Sequence, residues 1–369
     1  FFFKQKTAYE MLRSLVGLGD VYKRQIGVVA PEERRFLEDK IKQYRVELPQ
    51  IPVFVAHPEL KGAKRYSELS EREITDIYKA YLDTTIEAVA NFQPDLIHVN
   101  HLSLISWVAR YINALKNIKY IITCHGSCLY NILADKRYLP LSEDAVRNAR
   151  AITVVSGDSR SKFLKTFGRT FAKNLQVIPG GVDIRLFPSQ LDTSLIDEKY
   201  KVKDKKMVLF TGRLTSHKGV RYLVRAAKDI KGEVFIIGEG PEKQYLTTLC
   251  ERKGLKNVHL LGYVPGEELT KFYYRADVFV APSVWDEPLG LTILEAMASK
   301  TPVIATRKGG IPLLVKHGYN GFFVRPRNSA KIASACNKLL ENDELRKKMG
   351  EVARKTVEEK FTWEKTALK

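Results

Sequence analysis

Two cations in the second half of the chain have the residue types and spacing of an anion site. Arg213 and Lys218 lie in FTGRLTSHKG, where a strand pattern runs into a loop and then into a helix. A guanidinium and an ammonium beside a helix N-terminus are suited to hold a diphosphate. For any single pair at this spacing, however, two solvated surface cations are the commoner explanation.

Two glutamates complete this candidate site. Glu287 and Glu295 lie in APSVWDEPLGLTILEAMASKTPVIA. On one continuous helix they would differ by about 80° in azimuth and about 12 Å in rise. That is too far for the carboxylate pair of a retaining glycosidase, at about 5–5.5 Å. Pro288 and Gly290 instead predict that Glu287 lies in a loop and that the helix begins near Leu289.

The start of that helix adds a third element. The free N–H groups of Gly290, Leu291 and Thr292 would point at an anion, and the helix dipole would favour it. Glu287 would then reach one end of the ligand and Glu295 the other. An anionic centre between two carboxylates that accept hydroxyl hydrogens describes a nucleoside diphosphate sugar.

Two other loops carry weaker signals. The G-x-G of IIGEGP, at Ile236–Pro241, lacks a third glycine, so a plain turn is favoured over a dinucleotide loop. In TCHGS, His125 follows a strand, and by itself it is better explained as a hydrogen-bonded loop histidine. Cys124 and Cys128 flank it at C-x3-C spacing. Zinc is a minor alternative there, because no second thiol pair is near.

The elements that must position these loops alternate along the chain. From Ile26 onward, short β-branched runs alternate with longer amphipathic stretches, which predicts parallel sheets covered by helices on both faces. The alternation of predicted strands and helices stops at a polar, lysine-rich stretch and begins again after it. We therefore predict an α/β protein with two Rossmann-like doubly wound domains, at 26–182 and 207–369, joined by a linker at 183–206.

These residues amount to a family resemblance. From about Ile26 to its end, the chain resembles the retaining glycosyltransferases of the GT-B fold, the large group-4 family that is also called glycosyl transferases group 1. The shared motifs are IPGGVD, GRLTSHKG, GEGPEKQYL, the stretch with the glutamate pair, and FTWEKTA. The resemblance implies two domains facing a cleft. It also implies transfer of a hexose from a UDP-, GDP- or ADP-sugar to a hydroxyl acceptor, with retention of configuration.

The resemblance implies roles for the charged residues. Arg213 and Lys218 would hold the diphosphate and stabilise the charge left as the sugar departs. Glu295 would accept the ribose hydroxyls, and Glu287 those of the donor sugar. The chain has no Asp-x-Asp triplet for a Mg²⁺–diphosphate clamp. We therefore expect no metal and no cofactor, with the two cations in that role.

Three further positions match the family pattern. His125 matches the active-site histidine at the domain cleft, which is expected to contact the donor sugar near its reacting carbon. Tyr263 and Val264 lie in the loop that would border the nucleotide base.

The chain departs from the family at its beginning. Phe1–Gln25 resembles a translated sequencing-adapter string, and it stands where the family's first strand, glycine-rich loop and first helix belong. We expect a first domain that lacks these elements, which would lower stability and activity. The alternative is a genuine amphipathic helix at Tyr9–Val16. Further along, Lys300 replaces a helix-ending glycine, at a cost of about 1 kcal/mol if its backbone is left-handed.

Composition limits the partners. The chain has 369 residues, a formal net charge of +19 and four cysteines. The cysteine count is typical of a reducing compartment and predicts a cytoplasmic protein, and the charge predicts an anionic partner. No RRM, KH or zinc-finger signature supports nucleic acid. Besides the nucleotide sugar, we expect a glycan or lipid-linked acceptor, such as a glycolipid or polysaccharide precursor.

One segment bears on membrane contact. In RSKFLKTFGRTFAK, at Arg160–Lys173, Phe163, Phe167 and Phe171 recur every four residues. A patch at the inner membrane surface would suit lipid-linked acceptors. A helix with its aromatic face in the core, ended by Gly168, is favoured.

Two other functions compete with glycosyl transfer. A nucleotide-sugar epimerase has the same two-domain architecture, but the arrangement of Glu287 and Glu295 argues against it. A non-catalytic partner subunit is weakened as an alternative because every proposed site residue is present.

Overall fold

The computed structural model describes residues 25–29, 41–54 and 62–369. The adapter-like segment, apart from its last residue, and the alternative helix at Tyr9–Val16 lie outside the described residues. The chain divides into two compact units, Phe1–Pro179 and Gly180–Lys369. Each unit is an α/β structure with parallel strands, as predicted.

The first unit contains a four-stranded parallel sheet. Its strands, in spatial order, are β5 (Leu96–Asn100), β6 (Lys119–Cys124), β7 (Ala151–Val154) and β8 (Leu175–Val177). Earlier in the chain, β1 (Gln25–Val29) pairs in parallel with β2 (Ile41–Arg45), and β3 (Pro52–Val53) pairs with β4 (Lys64–Arg65).

The helices of this unit lie between its strands. They are α1 (Glu71–Phe92), α2 (Leu104–Lys116), α3 (Ser127–Ala134), α4 (Leu139–Asn148) and α5 (Gly157–Phe167). The first turn of α1 shows why it begins where it does. The Ser70 hydroxyl accepts from the Glu73 N–H at 3.2 Å, and the Glu73 carboxylate accepts from the Ser70 N–H at 2.9 Å. This reciprocal cap satisfies two backbone donors that a helix start leaves unpaired.

The basic and aromatic segment belongs to the core of this unit. Phe163 and Phe167 are buried with ring centroids 4.8 Å apart, and Phe171 packs against the same core. Gly168 ends α5 at a positive φ of 103°. The core-helix interpretation is therefore confirmed. Among the described helices, none is both long and apolar enough to cross a membrane.

The second unit contains a six-stranded parallel sheet in the order β11-β10-β9-β12-β13-β14. The strands are β9 (Met207–Thr211), β10 (Glu233–Ile237), β11 (Val258–Gly262), β12 (Val278–Ala281), β13 (Val303–Thr306) and β14 (Gly321–Val324). Strands β9, β10, β12 and β13 are buried at every residue. Continuous burial is what a parallel sheet with both faces covered requires, and it explains the unbroken apolar runs.

The first helix of the second unit precedes its strands, and the others follow its strands or close its C-terminal end. They are α6 (Ser194–Tyr200), α7 (Val220–Ala226), α8 (Lys243–Arg252), α9 (Gly266–Arg275), α10 (Leu291–Ala298), α11 (Ile311–Leu314), α12 (Ser329–Leu340), α13 (Asp343–Lys360) and α14 (Trp363–Ala367).

The lysine-rich stretch 183–206, expected as a linker, packs onto the second unit. Arg275 on α9 is paired with Asp197, and its guanidinium donates to the backbone carbonyl oxygen of Lys205 at 2.9 Å. Phe187 and Ile196 from the same stretch are buried.

Candidate active site

The order of strands in the second unit creates a topological switch point between β9 and β12. Strand β9 pairs with β12, with Val208 opposite Val278, and the next strands in sequence lie on opposite sides of this pair. At such a switch point the loops that follow the two central strands diverge, and ligands bind between them. The loop after β9 carries Arg213 and Lys218, and the loop after β12 carries Glu287.

Lys218 and Glu287 meet across this point. The Lys218 Nζ atom lies 2.7 Å from Glu287 Oε1, and the Ser283 hydroxyl donates to the same oxygen at 2.6 Å. The Glu287 side chain is 8% exposed, whereas that of Lys218 is 29% exposed. The pair therefore presents a partly exposed ammonium beside a buried carboxylate, at the loop position predicted for Glu287.

The environment keeps Glu287 ionised. Burial by itself raises the pKa of this carboxyl group, but the charge and hydrogen bond of Lys218 and the hydrogen bond from Ser283 outweigh it. The net effect is a pKa below the ordinary glutamate value. At neutral pH the group is a hydrogen-bond acceptor, as contacts with sugar hydroxyls require.

Close backbone packing joins the two loops. The Val284 N–H donates to the His217 carbonyl oxygen at 2.9 Å. Gly219 has a positive φ of 68°, and a Cβ at this position would overlap the Pro282 carbonyl oxygen. Only glycine permits this approach, so Lys218 is held beside Glu287 by the backbone as well as by charge.

The G-x-G loop after β10 supports the loop that carries Arg213. The Leu214 N–H donates to the Glu239 carbonyl oxygen at 2.8 Å. A Cβ at Gly240 would lie 2.5 Å from the Leu214 carbonyl oxygen. This glycine is needed for backbone packing, which favours the turn interpretation over a dinucleotide loop. Arg213 itself is half-buried.

Helix α10 starts at the same edge of the sheet. Gly290 is its N-cap, so the helix begins two residues after the predicted Leu289, with Leu291 and Thr292 in its first turn. The first N–H groups of a helix have no partner within it, and they carry the positive end of the helix dipole.

Glu295 lies in the second turn of α10 and is held by a residue that the sequence did not indicate. The Tyr273 hydroxyl, from α9, donates to Glu295 Oε2 at 2.7 Å. The Thr211 hydroxyl, at the end of β9, lies 2.6 Å from the Tyr273 oxygen. Burial raises the pKa of Tyr273 well above its usual value, and the charge of Glu295 raises it further. The phenol therefore stays neutral and acts as a donor.

The loop after β11 holds the two residues predicted to border the base. Tyr263 is 61% exposed, and Val264 is buried. The loop ends at Pro265, the N-cap of α9. Tyr263 is thus an exposed aromatic ring at the carboxyl edge of the sheet.

His125 lies in the first unit, in the turn between β6 and α3. Its Nε2 atom is 3.0 Å from Asn100 Oδ1, and its ring centroid is 4.8 Å from that of His101. Cys124 and Cys128 are buried on either side of it. Among the described residues, no group of three or more His, Cys, Asp or Glu side chains is arranged to hold a metal ion.

Sequence reasoning missed three residues of the site. Ser283 has a sequence signal, because it lies four residues before Glu287 in the same motif. Tyr273 and Thr211 have none, since their contacts depend on how α9 and β9 pack around α10. All the predicted residues of the second unit lie at the carboxyl edge of its sheet or in the first turns of α10.

Two protein-family models match the chain. The model described as glycosyl transferases group 1 matches residues 192–356, and the glycosyltransferase family 4 model matches residues 5–186.

Relatives described as glycosyltransferases match the chain. One uncharacterised glycosyltransferase of Methanocaldococcus jannaschii is 41% identical over 169 residues, which cover 44% of this chain and 43% of that protein. A second from the same organism is 30% identical over 278 residues, covering 74% of this chain and 73% of that protein.

Solved structures show the same fold. Sucrose-phosphate synthase from Thermosynechococcus elongatus aligns with a TM-score of 0.79 at 22% identity, covering 97% of this chain and 89% of that one. HepE of Anabaena, in complex with UDP-glucose, aligns with a TM-score of 0.70 at 24% identity, covering 78% and 79%.

Two α/β units with parallel sheets, and a charged site at the switch point of the second, define the class of GT-B glycosyltransferases. The chain belongs to this class as a member of the glycosyl transferases group 1 family, with a family 4 region in its first half, and it is a transferase enzyme.

Proposed function

We propose that this enzyme transfers a hexose from a nucleoside diphosphate sugar to a hydroxyl acceptor, with retention of configuration. The observation that carries the proposal is the contact of Lys218 with Glu287 at the switch point, next to the start of α10. It combines a cation for phosphate with an ionised acceptor for sugar hydroxyls.

The diphosphate would be held by positive charge from three sources. Arg213 and Lys218 supply the side chains, and the N–H groups of Gly290, Leu291 and Thr292 supply the helix start. As the bond between the sugar and the phosphate breaks, these groups stabilise the charge that accumulates on the leaving phosphate. In this proposal they do the work of a metal ion, and no cofactor is required.

The rest of the donor would be recognised by groups on either side. Glu287 accepts the hydroxyls of the hexose, Glu295 accepts those of the ribose, and Tyr263 and Val264 border the base. UDP is the first nucleotide to test, because HepE is similar in fold and was solved with UDP-glucose. His125 is assigned to the donor sugar near its reacting carbon on the strength of the TCHGS motif alone.

Retention follows if the acceptor attacks the face that the phosphate vacates. The bond from the anomeric carbon to the phosphate oxygen breaks, and a bond to the acceptor oxygen forms on the same face. The acceptor's proton passes to the leaving phosphate, so no protein base is needed.

The acceptor is proposed to be a glycan precursor, either a glycolipid or a polysaccharide, reached from the cytoplasm. The net charge of +19 would favour an anionic acceptor or an acceptor at an anionic membrane surface.

The test is a donor panel. The full chain is incubated with UDP-, GDP- and ADP-hexoses and a native lipid and glycan extract, and the products are identified by mass spectrometry and the new anomeric bond by NMR. We expect one nucleotide class to yield a product with the donor's anomeric configuration. Inversion would contradict the mechanism, and absence of transfer from every donor would contradict the function.

A further inference from the structure

The hydrogen-bonded chain of Thr211, Tyr273 and Glu295 is more than packing requires. Tyr273 is 1% exposed and lies against Phe279, with ring centroids 5.8 Å apart. A phenylalanine would fill the same space without bringing a hydroxyl group into the interior. A buried hydroxyl is costly unless it is hydrogen-bonded, and this one has partners on both sides.

The direction of these bonds is determined by chemistry. A carboxylate only accepts, so the single hydroxyl hydrogen of Tyr273 points to Glu295 Oε2. The Tyr273 oxygen therefore accepts from the Thr211 hydroxyl. The result is a relay that runs from the last residue of β9 to a carboxylate in the second turn of α10.

Helix α9 is also anchored at the same residue. The Thr301 hydroxyl, just after α10, donates to the Tyr273 carbonyl oxygen at 2.6 Å. Tyr273 is thus attached to the region of α10 both through its backbone and through its hydroxyl. Because its backbone and its hydroxyl are both held, Tyr273 can determine the orientation of the carboxylate that it contacts.

We infer that Tyr273 is a positioning residue that orients Glu295 for the paired ribose hydroxyls and so makes the site select ribonucleotides. The inference rests on the proposed function. A carboxylate offers about four acceptor positions, so one bond from Tyr273 can orient the group while others serve the ligand. A site arranged to bond hydroxyls discriminates against analogues that lack them, because its polar groups then lose their partners.

The test measures nucleotide binding by calorimetry on the full chain. The probes are UDP, GDP and ADP, each compared with its 2′,3′-dideoxy analogue. We expect Tyr273→Phe to weaken binding of the ribonucleotide about five- to twentyfold. Binding of the dideoxy analogue, which has no hydroxyls for Glu295, should change less than about twofold.

A matched control lies one residue away. The Tyr274 hydroxyl bonds to the Pro188 carbonyl oxygen and not to the site. Tyr274→Phe removes the same atom from the same helix, and it should leave the affinities for both probes unchanged.

A second pair of variants covers the case in which Tyr273→Phe fails to fold. Thr211→Val removes the donor to Tyr273 with little change in volume, and it should weaken ribonucleotide binding about two- to fivefold. Thr211→Ser retains the hydroxyl and should restore wild-type affinity.

The outcomes distinguish a failure of the inference about Tyr273 from a failure of the proposed function. Equal losses for ribonucleotide and dideoxy analogue in Tyr273→Phe, or no loss for either, would overturn the positioning role. If Glu295→Gln binds the ribonucleotide as tightly as wild type, the proposed role of Glu295 is wrong, and the role of Tyr273 falls with it. If the wild type binds none of UDP, GDP and ADP, the proposed donor class is wrong as well.

Discussion

The two ends of the sheet in the second unit both gather charged residues, but they arrange them differently. At the amino end, Asp277 accepts from the Met207 N–H at 2.8 Å and lies 3.1 Å from the guanidinium of Arg346. Lys206 and Arg275 each lie 3.7 Å from the same carboxylate. One partly buried acid is surrounded by three cations and a backbone donor.

A second acid at the amino end follows the same pattern. Glu233 lies 2.6 Å from Lys205 and 2.7 Å from His259. Lys205 and Glu233 lie just before and at the start of neighbouring strands. Such contacts connect strands to one another and to the helices beneath them, which is a structural role.

At the carboxyl end, one buried acid is paired with one partly exposed ammonium. An ammonium has three donors, so Lys218 can keep Glu287 ionised and still bond a phosphate oxygen. The two ends therefore differ in the number of basic side chains around each acid and not in whether charged residues are present. Each acid at the amino end contacts more than one basic side chain, whereas the Glu287 carboxylate is paired with a single ammonium.

The strongest test of this difference is Glu287→Ala. We expect transfer to fall at least about a thousandfold while nucleoside diphosphate affinity stays within about threefold, because the proposed function assigns this group to the sugar and not to the diphosphate. Product formation and nucleotide binding are measured on the same preparation. Transfer at more than a tenth of the wild-type rate would contradict the assignment.

Lys218→Ala should affect both binding and catalysis. We expect kcat/KM to fall about a hundredfold or more because the proposed contact with the diphosphate is lost, and nucleotide affinity to fall with it. Lys218→Arg retains the charge and should recover part of the binding. Unchanged nucleotide affinity in Lys218→Ala would show that this cation serves only Glu287.

Asp277→Asn tests the amino end. Removing the acid from among three cations should lower the free energy of unfolding by about 2–4 kcal/mol. The specific activity of the folded enzyme should not change. Urea denaturation measures the stability, and the transfer rate per folded molecule measures the activity. A loss of activity without a loss of stability would contradict the structural role of Asp277.

The acid side of the stability profile should depend on Glu287. Its pKa is lowered in the folded state, so its stabilisation is fully present above the ordinary value of 4.5 and is lost as the pH falls through the lower folded value. Denaturation of Glu287→Gln should therefore show a smaller loss of stability between about pH 6 and pH 3 than the wild type. An identical loss in both would contradict the lowered pKa.

The smallest effect is expected at Lys300, directly after α10. Its φ is +60°, the left-handed conformation that was expected for a helix-ending glycine at this position. Lys300→Gly should raise the free energy of unfolding by about 0.5–1 kcal/mol with no change in activity. Lys300→Ala keeps the strain and removes the exposed ion pair with Glu351, so its stability should barely change.

Much of the second unit could be predicted because its signals are local. Buried parallel strands have unbroken apolar runs, and Pro288 with Gly290 placed Glu287 in a loop. The predicted start of α10 at Leu289 was two residues early, because Gly290 takes a left-handed conformation and the helix begins only after it. The stretch 183–206 was predicted as a linker because its many lysines outnumber the few apolar side chains that are buried.

The class of enzyme could be predicted from the sequence, because the motifs around Arg213, Lys218 and the two glutamates resemble those of the family. Tertiary structure alone decided that Lys218 pairs with Glu287 and that Tyr273 and Thr211 hold Glu295. These contacts join residues far apart in the chain. The first exists because the strand order brings the ends of β9 and β12 together, and the second because α9 and β9 pack around α10. The spacing of residues along the chain predicts local structure, but only tertiary packing determines which distant side chains come into contact.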